Sequence, residues 1–180
     1  MAKSKAKNAR ANQEMAHHEA AHAVAGVMMG AEFKTLSIVP RGNMLGYVDF
    51  RAFGRRIQRD VRGKQFLSDD DEAVARRRKE RFIIILLAGP QGQKKFAPKS
   101  RWREEGMDDF VHALDMILEL VDDNAEVASA YLRFLDLQAK ELVKAHWAAI
   151  EHLARAALVH RRLSHHQVLQ AIIDAQRWAA

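Results

Sequence analysis

Apolar residues recur at helical spacing from about Gln13 to Met29, where Met15, Ala23 and Val27 fall among many alanines and Gly30 is placed to stop the helix. Residues 1–12 before it are polar and basic and read as a flexible tail. Over 34–50 the pattern changes. The runs KTLSIVP and MLGYVDF are short and β-rich, and Arg41-Gly42-Asn43 joins them, which predicts two strands about a turn or two strands of a small sheet. Gly42 and Gly46 read as turn and bulge residues. Residues 51–70 are polar, basic and irregular, as in a mobile loop. Asp69, Asp70, Asp71 and Glu72 then open a helix to about Ala88, their charge opposing the positive end of its dipole, and Gly89-Pro90 is expected to end it. A connector with Gly92, Pro98 and Gly106 follows. Asp108 or Asp109 is suited to cap a helix over 109–121, and Asn124 a long helical stretch to about His160 with room for one break. Ser164 and Gln167 make a capping box before a last helix near 165–177. The sum is an α+β fold, mainly α-helical, with a small β-sheet and a C-terminal helical bundle.

Composition narrows the chemistry. The chain has 180 residues, 48% of them hydrophobic, which suits one domain with a real core. It has no cysteine, so disulfides, thiolate metal sites and cysteine nucleophiles are excluded, and a metal must be held by His, Asp or Glu. The net charge of +6 sits largely in Lys3, Lys5, Lys7 and Arg10 and in Arg76, Arg77, Arg78, Lys79 and Arg81. These runs read as a solvated tail and a solvated helix face; without zinc-finger cysteines or an aromatic RNA-binding signature, nucleic acid is not the expected partner. The basic start leads into no apolar run, so no signal peptide is expected. The longest apolar stretch, Phe82 to Ala88, is far shorter than the roughly 20 residues of a membrane span. A cytoplasmic protein is expected.

Residues 18–22 read His-Glu-Ala-Ala-His. Residues four apart on a helix lie about 40° apart around the axis and one turn apart along it, so His18 and His22 can share one Zn²⁺. Glu19 lies about 100° further round, where its carboxylate can reach a water on the metal, accept its proton and pass it to a departing amine. Zinc chemistry at such a site would hydrolyse a peptide bond. A catalytic zinc takes a third protein ligand and leaves a position open. Asp108 and Asp109 are the leading candidates, with Glu104, Glu105 and Glu119 behind them, and His112 is a candidate neighbour of the site.

Five blocks carry a resemblance. HEAAHAVAG at 18–26, SIVPRGNMLGYV at 37–48, LLAG at 86–89, DFVHA at 109–113 and WAAIEHLARAALVHRRLSHHQV at 147–168 follow one another as in the peptidase domain of FtsH-type ATP-dependent zinc metalloproteases. The likeness spans about 13–175. It implies an HExxH zinc-peptidase domain over 13–178, a metalloendopeptidase of peptides or unfolded proteins, with His18, His22 and Asp109 as zinc ligands and Glu19 as general base. The chain resembles only the peptidase part. It contains no P-loop and no span, so it is ATP-independent on its own, and a separate ATPase or adaptor is the implied partner for folded substrates. The family forms hexamers, which leaves a hexamer open here. This sequence departs from the family pattern at Pro90-Gln91-Gly92-Gln93, where the family has Arg-Ala-Ala-Glu, at Glu105, where it has Gly, and at Ala21, also a Gly there. An extended substrate is expected to add to an exposed strand edge within 35–39 or 44–50, beside a flap from 51–68. The alternative to an enzyme is a non-catalytic or regulatory module that binds zinc or peptide on the same fold.

Overall fold

The structure, a computed structural model, describes residues 2–42, 44–50 and 69–178. Along the chain it has α1 (Ala2–Met28), β1 (Phe33–Ser37), β2 (Tyr47–Phe50), α2 (Asp69–Phe96), α3 (Trp102–Glu105), α4 (Met107–Leu120), α5 (Ala125–Ala145), α6 (Trp147–His160), β3 (Arg162–Ser164) and α7 (His165–Trp178). The described residues are mainly helical with one small antiparallel sheet, as the hydrophobic pattern predicts.

The second half of α1 is the centre of the molecule. Ala16, Ala20, Ala21, Ala23, Val24 and Ala25 are completely buried, so the helix is covered on all sides, chiefly by α2 and α6. Its end is a Schellman turn: Gly30 takes φ +73°, its N–H donates to Val27, and the Ala31 N–H donates to the Gly26 carbonyl at 2.8 Å. Its start corrects the expectation of a loose tail, because residues 2–12 are helical. Ala, Lys, Arg, Asn and Ser fill this stretch with no Gly or Pro to break the helix, and residues 9–13 are exposed.

The sheet has the order β2-β1-β3. Leu36 of β1 is paired with Val48 on one side and Leu163 on the other, and one extra β1 residue between Phe33 and Leu36 shifts the register there. Arg41 and Met44 exchange backbone hydrogen bonds of 2.9 and 3.2 Å, with Gly42 at φ +60° in the reversal, so the predicted hairpin forms. Asn43 and the predicted loop and flap over 51–68 lie outside the described residues. Strand β3 was not legible as a strand. It follows α6 through Arg161 at φ +62°, whose carbonyl accepts from the Ile38 N–H at 3.0 Å.

Gly89-Pro90 does not end α2, which continues to Phe96. A proline inside a helix forfeits an intrahelical bond at a cost of about 3 kcal/mol. Ile83, Ile85 and Leu87 on the same helix are fully buried, and each contributes roughly 1.5–3 kcal/mol by leaving water, which offsets it. Gly92 serves close packing: a Cβ on it would stand 2.4 Å from Ala21 Cβ and 3.0 Å from the His17 carbonyl oxygen.

A second cluster of Ile83, Leu87, Ala113, Ile117, Leu135 and Ala139 ties α2 to α4 and α5. It holds α4 so that the first turn of that helix reaches α1. Gly106, with no side-chain cap bond, precedes α4, so neither Asp108 nor Asp109 is the predicted cap; both sit inside the first turn. Asn124 does cap α5, its Oδ1 accepting from the Val127 N–H at 3.1 Å, and the one break falls at His146. The capping box before α7 forms as read: the Ser164 N–H donates to Gln167 Oε1 at 2.8 Å and the Gln167 N–H to Ser164 Oγ at 3.3 Å. The C-terminal helices spread over the core, α5 against α2 and α6 against α1 and α7. No helix among the described residues is long and apolar enough to cross a membrane.

Candidate metal centre

The site lies where α1 crosses α2, and Gly89 makes the crossing close enough. A Cβ on Gly89 would stand 2.2 Å from His22 Nε2 and 2.8 Å from His18 Nε2, so no other residue fits under the two rings. Ile85, Gly89 and Gln93 recur four apart on α2 and form a stripe beneath His18 and His22. The Ile85 carbonyl accepts from His22 Nδ1 at 2.7 Å. Gln93 Oε1 accepts from His18 Nδ1 at 3.1 Å. With both Nδ1 atoms engaged as donors, the two Nε2 atoms turn to each other, 3.0 Å apart.

Asp109, in the first turn of α4, closes the set. Its Oδ2 lies 3.0 Å from His18 Nε2 and 3.4 Å from His22 Nε2. Ligand atoms around a tetrahedral zinc at 2.0–2.1 Å stand about 3.3 Å from one another. Separations of 3.0, 3.0 and 3.4 Å fit that spacing without rearrangement. Two imidazole nitrogens and a carboxylate are also the donor set of a catalytic zinc rather than a closed structural one. His18, His22 and Asp109 could thus hold a metal ion.

The charges are strongly coupled. Burial works against a charged His22, but the Asp109 charge and hydrogen bond, then Glu19 and the Ile85 carbonyl, outweigh it and raise the ring to about 9. Burial likewise favours neutral Asp109, and the facing His22 and His18 groups reverse this and hold the carboxyl well below its usual range. Such a pair holds a proton where a metal would otherwise sit. Glu19 is buried, and burial pushes its carboxyl up against the opposing pull of His18 and His22. Its neighbour is Gly46: a Cβ there would stand 2.7 Å from Glu19 Cγ and Oε1. Gly46 is therefore required by close approach to Glu19, and the irregularity of the sheet lies instead in β1.

His18, His22 and Asp109 thus come together, with Glu19 beside them. The other sequence candidates do not join them. Asp108 and His112 are exposed. Glu104 pairs with Arg101, Glu119 with Lys79 at 2.8 Å, and Glu105 accepts from Gln93 Nε2. Three contributors were missed as site residues: Gln93, Gly89 and the Ile85 carbonyl. The signal for the first two was the departure at 90–93 and the Gly-Pro pair before it; a backbone carbonyl leaves no signal. The chain matches no protein-family model and no curated protein.

Proposed function

We propose that the chain is a zinc-dependent metalloendopeptidase that hydrolyses peptide bonds in peptides or unfolded proteins. The observation that carries the reading is the convergence of His18 Nε2, His22 Nε2 and Asp109 Oδ2 within 3.4 Å of one another, beside a buried Glu19. The resemblance of five sequence blocks to FtsH-type peptidase domains supports the same reading. His18, His22 and Asp109 would hold the metal. Zinc there supplies Lewis acidity, which makes a water acidic near neutral pH and polarises a carbonyl oxygen. Glu19 takes the proton of the attacking water and returns it to the departing amine. Its raised affinity for a proton suits both halves of that task.

Substrate placement follows from β2. Among the described residues β2 pairs with β1 on one side only, and Gly46, the residue ahead of it, touches Glu19. An extended peptide added to that edge would run past the Glu19 carboxylate, held by main-chain hydrogen bonds with little sequence preference. Met44 and Leu45 beside it are about half exposed, at 49% and 57%, and offer apolar contact.

The test is digestion of casein by the zinc-loaded protein. Glu19→Gln should lower the rate by roughly 10²–10⁴-fold while zinc content stays unchanged. Loaded protein that cleaves no faster than the variant would return the chain to the alternative, a zinc- or peptide-binding module without turnover.

A further inference from the structure

We propose that Gln93 and Glu105 act together as a positioning pair that fixes the His18 ring for metal binding, an inference that rests on the zinc reading above. The two histidines are supported differently. His22 Nδ1 meets the Ile85 carbonyl, which can only accept, so its proton is fixed on Nδ1 and Nε2 is free for a metal. His18 Nδ1 meets a side-chain amide, Gln93, at 3.1 Å. An amide has two orientations. With Oε1 toward the ring it accepts the Nδ1 proton and leaves the Nε2 lone pair for the metal. Turned over, it presents its NH₂ to Nδ1, favours the other tautomer and puts a proton on the Nε2 that must bind.

Glu105 selects between them. The Gln93 Nε2 donates to Glu105 Oε2. An ionised carboxylate only accepts, so it requires the NH₂ on its own side and turns Oε1 toward His18. Gln93 is completely buried, which leaves water no part in the choice. The relay runs from the exposed Glu105 through Gln93 to the ring. Glu105 ends α3 and Asp109 lies four residues on in the first turn of α4, so the segment 105–109 meets His18 Nε2 directly through Asp109 and Nδ1 through Gln93. Gly106 brings this segment close to α2: a Cβ there would stand 2.6 Å from Pro90 Cγ. Gln93 and Glu105 are also two of the positions at which the sequence leaves the resembled pattern. A carboxylate is lost at 93 and one is gained at 105.

The experiment measures zinc affinity of the full chain by competition with a chromogenic chelator, together with the ¹H–¹⁵N signal of His18 Nδ1–H in the zinc-loaded protein. Glu105→Ala, at an exposed position that spares the fold, should weaken zinc binding about tenfold, and Gln93→Leu by 10- to 100-fold, the range for outer-shell partners of metal ligands. Both should speed exchange of the Nδ1 proton with water. The double variant Gln93→Glu/Glu105→Gln restores an acceptor facing His18 and a donor facing that acceptor, and should recover affinity to within about threefold of the parent, well inside that range. If the parent binds zinc and Glu105→Ala and Gln93→Leu match it in affinity and in the His18 signal, whatever their melting temperatures, the pair has no positioning role. A parent chain that binds no zinc overturns the zinc reading itself, and this inference with it.

Discussion

One oxygen of Asp109 reaches both histidines, and the adjacent Asp108 reaches neither. Neighbouring residues on a helix point about 100° apart, so the phase of α4 decides between two acidic side chains that sequence spacing left level. If Asp109 is the direct ligand proposed above, Asp109→Asn should weaken zinc binding by at least the roughly 100-fold that marks the upper end for outer-shell partners. Asp108→Asn should leave affinity unchanged, and metal titrations of the two variants check the contrast; equal losses would remove Asp109 from the site. His18, Glu19 and His22 were legible because their geometry is local, two rings one turn apart on a single helix. Gln93 was marked only by the departure at 90–93, because its hydrogen bond is to a ring 75 residues away in sequence, a pairing that no local spacing announces.

At the scale of elements, glycine carries two different demands. Gly30 ends α1 with a positive φ, a local demand that a reading of the sequence finds. Gly89 sits in mid-helix for the sake of another helix, and beside Pro90 it reads as a stop, so the sequence places the end of α2 about two turns early. The pair separates by experiment. Gly30→Ala should cost about 1 kcal/mol in stability through backbone strain and leave zinc affinity intact. Gly89→Ala drives a methyl into His22 and His18, so it should cost about 1–3 kcal/mol as overpacking does and also abolish tight zinc binding. Chemical unfolding and metal titration of both proteins test this; a Gly89→Ala protein that binds zinc like the parent would contradict the close crossing. Strand β3 escaped the sequence for the opposite reason. It is three residues long, and its partner in β1 lies far back in the chain, so no local period announces it.

For the whole molecule the proposed metal site links stability to pH, and the slope differs with and without metal. In the metal-free protein the attraction between His22 and Asp109 is one interaction seen from both partners. His22 rises from its ordinary 6.5 to about 9 on folding, so this stabilisation is full below pH 6.5 and drains away as pH climbs from 6.5 to about 9. On the acid side the depressed Asp109 makes the same stabilisation complete above the ordinary carboxylate value of 3.8 and lost as pH falls below it. From 6.5 to 9 the loss amounts to roughly 3 kcal/mol, at 1.36 kcal/mol per pH unit. Zinc must displace the His22 proton, so its affinity should rise about tenfold per pH unit over the same window. The gain in binding free energy then cancels the loss in intrinsic stability, because the zinc-loaded fold and the unfolded chain both carry a neutral imidazole above pH 6.5. Thermal unfolding between pH 6.5 and 9 should therefore give a falling melting temperature without metal and a level one with saturating zinc, the gap widening with pH. Asp109→Asn should close the gap. A gap of constant width in the parent protein would mean that zinc binds without displacing that proton, and so binds somewhere other than His22.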